Sequence, residues 1–96
     1  MKTFRLSAQA ARDVERIWEY ISRDDVAAAR RVRLEFHDAF EKLAEQSGIG
    51  HTRDDLTSRP VRFWPVRSYL VVYKPGSRPL EIVRVVHGAR DLPRIL

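Results

Sequence analysis

Three histidines, His37, His51 and His87, are the side chains of this sequence that change charge near neutral pH. His51 lies in the stretch "SGIGHTRDDLTSRP" beside Arg53, Asp54 and Asp55. An imidazole and two carboxylates could hold a metal ion. The spacing matches no known site and no second histidine is near, so loop polarity explains the cluster and no metal is expected. His37 stands off an apolar helical stripe, next to Asp38, as an exposed helix histidine would. His87 closes a β-branched run, "EIVRVVHGARDLPRIL", and is followed by Gly88 and Arg90. Proton transfer would suit it, which makes it the one candidate acid or base. Arg67, Arg84, Arg90 and Arg94 are the cations around it that could grip an anionic partner, since the guanidinium fork matches carboxylates and phosphates.

The charge distribution points the same way. Net charge is +5, and 15 of the 18 basic residues are Arg. Residues 1–47 carry nine basic and nine acidic residues, whereas 48–96 carry nine basic and four acidic. The excess sits in the C-terminal half, which should attract an acidic polypeptide or a nucleic acid.

A small scaffold must position these groups. Ninety-six residues predict one domain, 1–96, and 44% apolar content predicts a globular one. The absence of cysteine excludes disulfides and thiolate metal sites and suits a reducing cytosol. No apolar run approaches the ~20 residues of a membrane span, and the N-terminus lacks a signal-peptide core, so a cytoplasmic protein without membrane attachment is expected.

"KTFRLS" alternates as a short strand, and Ser7 offers an N-cap to a helix over "AQAARDVERIWEYISR". Its inward stripe reads Ala11, Val14, Ile17, Trp18 and Ile21. Asp24 or Asp25 caps a second helix whose stripe is Ala29, Val32, Phe36, Ala39, Phe40 and Leu43, with Gly48 expected to end it. Three strands follow, "VRFWPV", "YLVVYK" and "LEIVRVVHG". Pro65 suggests that the first lies at an edge or ends there, and "PGSRP" joins the other two as a hairpin. Strict alternation groups Leu80, Ile82, Arg84 and Val86 on one face of the last strand, against Glu81, Val83, Val85 and His87. The order β-α-α-β-β-β predicts an α+β fold: a helical hairpin on one face of a small antiparallel-rich sheet, with an arginine-rich concave face opposite. Gly88, lacking a Cβ, would let the chain turn out of the sheet.

This order, the stretches "PVRSYLVVYK" and "FRLSAQAARDVERIWEYIS", and above all the ending "RVVHGARDLPRIL" resemble the RelE/ParE superfamily of toxins from bacterial type II toxin–antitoxin systems, nearest the ParE branch. The resemblance covers essentially the whole chain. It implies one of two activities: RelE-like ribosome-dependent cleavage of mRNA, or ParE-like poisoning of DNA gyrase. It also implies neutralisation by a cognate acidic antitoxin, ParD-like or similar, in a hetero-oligomer. An antitoxin would lie along an apolar groove between helices and sheet, where Trp18, Phe36, Trp64 and Tyr73 are the expected contacts.

Metal-free RNA cleavage needs a base, a cation on the phosphate and an acid. RelE-like nucleases typically read Tyr-Arg-Leu-Val-Tyr on the third strand; here Tyr69-Leu70-Val71-Val72-Tyr73 puts Leu70 where that Arg would be. Many also use a Tyr or His near the C-terminus, and this chain ends Pro93-Arg94-Ile95-Leu96. Arg90 does match an Arg present in both branches. Half of a nuclease site, His87 with Arg90, is present. The resemblance therefore favours a ParE-like, non-catalytic gyrase inhibitor without cofactor, with a RelE-like endonuclease as the alternative. Target contacts are expected from Arg67, Arg84, His87, Arg90, Leu92 and Arg94, the last three on a tail that could equally fold back onto the core. A third reading, direct nucleic-acid binding on a basic sheet with Trp64 as stacking platform, is less favoured because Trp64 is its only large aromatic candidate.

Overall fold

The computed structural model describes residues 3–88, so Arg90, Leu92 and Arg94 lie outside the described residues. Strand β1 (Phe4–Leu6) leads into α1 (Ala8–Ser22) and α2 (Val26–Glu45), and β2 (Arg62–Val66), β3 (Tyr69–Lys74) and β4 (Leu80–His87) follow. The sheet order is β1-β4-β3-β2, with β1 parallel to β4 and the other pairs antiparallel. The fold is the expected α+β arrangement, two helices on a mixed, mostly antiparallel sheet.

Local chemistry explains the helix ends. Ser7 Oγ accepts the Ala10 N–H at 3.0 Å and donates to the Val83 carbonyl at 2.8 Å, so one hydroxyl caps α1 and ties it to β4. Asp25 Oδ1 accepts the Ala28 N–H at 3.0 Å and caps α2. All six residues of the expected α2 stripe are buried. On α1 the register differs: Ala10 and Asp13 are the buried residues and Ala11 is exposed. The cause is that α1 packs toward β4, which turns this neighbouring side of the helix inward. Gly48 does not terminate α2, which stops at Glu45 with Gln46 as its C-cap.

Pro65 lies on the edge strand β2, as expected. Phe63 exchanges backbone bonds of 2.9 and 2.8 Å with His51 at the outer edge. Pro65, two residues on, puts its missing donor at the same edge, which discourages addition of a further strand. Gly76, at φ 79°, supplies the left-handed residue of the β3–β4 turn.

The last strand departs from strict alternation. Val72 pairs with Arg84 but Tyr73 pairs with Ile82, so Val83 is an extra residue on β4. Beyond it the facing inverts. Leu80, Ile82 and Val85 join the core under the helices, while Val83 and Val86 pack with Val61, Phe63 and Val72 on the opposite face.

That opposite face is not the arginine-rich concavity expected. It is a small apolar cluster, with Leu56 and Leu70 packed against it. Of the arginines on the strands and their turn, Arg5 stays on this side, bonded to Glu81 (3.2 Å), while the others point elsewhere: Arg62 bonds the carbonyls of Gly50 (2.8 Å) and Gly48 (3.3 Å), Arg67 reaches Glu35 on α2, and Arg84 reaches Asp13 on α1. In so small a domain both faces of the central strands need apolar cover, and the cations find carboxylates on the helices. Among the described residues no helix is long and apolar enough to cross a membrane.

Candidate target-contact site

The tip of the β2–β3 hairpin, the end of β4 and the middle of α2 converge at one end of the sheet. Arg67 and Ser68 form the two-residue turn between the paired Val66 and Tyr69. The Gly88 N–H donates to the Ser68 carbonyl at 3.0 Å, which pins the end of β4 to this turn. A Cβ at Gly88 would meet Leu70 Cδ1 at 3.5 Å, an ordinary contact, so the sharp turn expected there does not demand glycine.

Arg67 adopts φ 54°, the one non-glycine residue with positive φ among those described. Glu35 holds it side-on: Nε donates to Oε1 at 2.7 Å and Nη2 to Oε2 at 2.6 Å. The hydrogen bond from Arg67 outweighs the opposing effect of burial and, with lesser contributions from the charges of Arg67 and Arg31, holds the Glu35 carboxyl below its ordinary value. His87 stands beside this turn, its ring edge-on to Tyr69 at 5.7 Å, and Tyr69 is edge-on to Phe36 at 5.6 Å. Of the expected target contacts, Arg67 and His87 are thus brought together.

Arg84 is placed apart from them. Its Nε and Nη2 bond the two carboxylate oxygens of Asp13 at 2.8 and 3.0 Å, and Asp13 Oδ2 also accepts the Val85 N–H at 2.9 Å. β1 stops at Leu6, so no strand pairs with β4 on this side from Val83 onward, and Asp13 satisfies the buried strand amide left open there. Arg84 is first a brace between α1 and β4.

The four expected antitoxin contacts divide. Phe36 and Tyr73 are 2% and 0% exposed and present no surface to a partner. Tyr73 is a core post: its hydroxyl donates to the Ser47 carbonyl at 2.7 Å and accepts the Gly50 N–H at 2.9 Å. Trp18 and Trp64 are half-buried. The Arg33 guanidinium lies 4.1 Å from the Trp18 ring centre, and Lys42 Nζ lies 5.2 Å from that of Trp64, with His51 stacked beside it at 6.5 Å. A cleft of about 270 Å³ opens between the end of α2 and the β3–β4 turn, and none of the four lines it.

The other two histidines lie away from this turn. His37 forms an exposed i,i+4 pair with Glu41 at 3.3 Å and sets its ring on Phe4. Beside His51, Arg53 holds Asp55 in two bonds of 3.0 and 2.9 Å, loop polarity satisfied within the loop.

Two important residues had little sequence signal. Asp13 sits three residues after Ala10 and four before Ile17, so a carboxylate within the inward face was a visible clue. Nothing in the spacing links Glu35 to Arg67, 32 residues away.

A family profile described as "ParE toxin of type II toxin-antitoxin system, parDE" matches residues 4–92. The chain belongs to this ParE toxin family. It is 35% identical to Toxin ParE1 of Caulobacter vibrioides over 95% of this chain and 94% of that protein. It is 30% identical to Y4kP of Sinorhizobium fredii over 99% of this chain and 97% of that one. A solved chain of the chromosomal ParDE TA system from P. aeruginosa shares the fold at a TM-score of 0.73 and 16% identity, covering 91% of this chain and 96% of that one.

In this ParE-family toxin His87 and the position that matches the nuclease arginine, Leu70, lie on opposite sides of the sheet. Leu70 belongs to the apolar cluster away from the helices, whereas His87 contacts Tyr69 on the helix side. The face on which the nuclease arginine would stand carries Phe63, Leu70, Val72 and Val86. Among the described residues, the strand cations on that side of the sheet, Arg5 and Lys74, are both engaged by Glu81, at 3.2 and 3.7 Å.

Proposed function

We propose that this ParE-type toxin acts by binding DNA gyrase and blocking its cycle without bond-breaking chemistry of its own, and that a cognate antitoxin neutralises it. The observation that carries the reading is the separation of His87 from Leu70 across the sheet. General acid–base catalysis needs the proton carrier within hydrogen-bond reach of the reacting phosphate, together with charge stabilisation on the same side. Around Leu70 the neighbours are Phe63, Val72 and Val86, which supply neither. Family membership supports the toxin role, and the named ParDE relative supports an antitoxin partner. The net charge of +5 suits an acidic one.

The deciding experiment pairs two assays on purified protein. Inhibition of gyrase supercoiling, or accumulation of cleaved gyrase–DNA complex, is expected, with intact mRNA on programmed ribosomes. Message cleavage that depends on His87, with gyrase unaffected, would replace this reading by the RelE-like endonuclease. Co-expression with a short acidic reading frame adjacent to the toxin gene should restore growth and give a co-purifying complex.

A further inference from the structure

Resting on the toxin reading above, we propose that Arg67 is a target-contact residue, held by Glu35 so that the outer edge of its guanidinium receives a carboxylate of the target protein. Three observations converge on this residue.

Arg67 occupies a conformation that favours glycine. At φ 54° a residue with a Cβ is strained, and a long side chain has no intrinsic reason to sit there. Left-handed non-glycine residues persist where the surrounding structure over-determines them, and they cluster at binding sites. The turn would be easier to form with glycine, yet an arginine is present.

The restraint on the side chain is specific. Glu35 takes the Nε/Nη2 edge in two charge-assisted bonds. Among the described residues, Nη1 and the outward half of Nη2 have no partner, and the side chain is 50% exposed. A guanidinium presents two bidentate edges, and here one is used to orient the other. Glu35 is therefore a positioning residue.

Local charge selects the partner. Arg31 lies close enough to Glu35 to lower its pKa, so Arg31, Glu35 and Arg67 together carry about one positive charge. That matches a single carboxylate. A duplex, with one negative charge per about 1.7 Å of axis, would bring further phosphates against the Glu35 carboxylate that holds Arg67. The geometry points to a protein side chain as the ligand.

The test compares wild type, Arg67→Gly and Arg67→Lys, each measured for thermal midpoint, gyrase inhibition and growth arrest on induction. Arg67→Gly relieves the positive φ, so its midpoint should equal or exceed that of wild type, while gyrase inhibition weakens about tenfold or more. Arg67→Lys keeps the charge and the strain but loses the fork, and should fall between the two in inhibition. A folded Arg67→Gly that inhibits and arrests growth like wild type overturns the proposal while leaving the toxin reading intact. So does an Arg67→Gly whose midpoint drops by several degrees, because the arginine would then be kept for stability. Loss confined to binding of bare DNA in a salt titration also overturns it, in favour of a phosphate ligand. A wild type that neither inhibits gyrase nor arrests growth removes the toxin reading and this contact with it.

Discussion

Asp13 and Arg84, 71 residues apart, are joined by two hydrogen bonds, and the same carboxylate accepts the Val85 N–H. One buried side chain on α1 thereby neutralises a strand arginine and completes the hydrogen bonding of a sheet edge that β1 is too short to cover. Replacing Asp13 by Ala removes both bonds that tie Arg84 to α1 and orphans the buried Val85 amide. Urea denaturation should show a loss of about 3–5 kcal/mol. A double-mutant cycle with Arg84→Ala should give clear non-additivity, because the two residues form one network.

Tyr73 and Gly50 should prove equally interdependent. A Cβ on Gly50 would overlap the Tyr73 hydroxyl and come within 2.8 Å of its Cε1. Tyr73→Phe leaves the Gly50 N–H and the Ser47 carbonyl without their partner and should cost about 1–3 kcal/mol. Gly50→Ala should cost a similar amount by displacing the ring.

Tyr73 also predicts an alkaline limit. Burial, as the largest effect, raises its phenol above the ordinary value of 10.0. Between that value and the folded one, the unfolded chain ionises first, so stability falls as pH rises above about 10. Tyr73→Phe, though less stable at pH 8, should show a shallower decline between pH 9 and 11 in parallel denaturation curves.

Ser7 ties the first helix to the last strand through one oxygen. Ser7→Ala removes both the cap to Ala10 and the bond to Val83. An expected loss of about 1–2 kcal/mol would appear as a lower urea midpoint with an unchanged slope.

Leu70→Arg restores the cation typical of RelE-like nucleases at the matching position. It should not restore cleavage of mRNA on programmed ribosomes, since His87 stays on the other side of the sheet. It should destabilise the fold by roughly 1–3 kcal/mol by placing a charge against Phe63, Val72 and Val86.

Much of this architecture was legible because it depends on local rules. The six-residue stripe of α2, the cap Ser7, an aspartate cap at 24 or 25 and the turn at "PGSRP" each follow from a few adjacent side chains, while the choice of Asp25 and the edge position of Pro65 came from the fold. The order of the elements did the same for the fold class. The α1 face was legible only to within one residue, because Ala10 and Ala11 are chemically alike and only contact with β4 distinguishes them.

The facing of β4 and the partners of its arginines were decided by tertiary structure. Period-two parity carries no information about a bulge, which arises from register against β3, and one extra residue at Val83 reversed every facing beyond it. Arg67 and Arg84 read as free surface cations in the sequence because their carboxylates lie 32 and 71 residues away. Propensity and periodicity along the chain are enough to set which elements form and which helix face is apolar. Only the packed fold decided which charges remain available to a partner, because ion pairing depends on proximity in space.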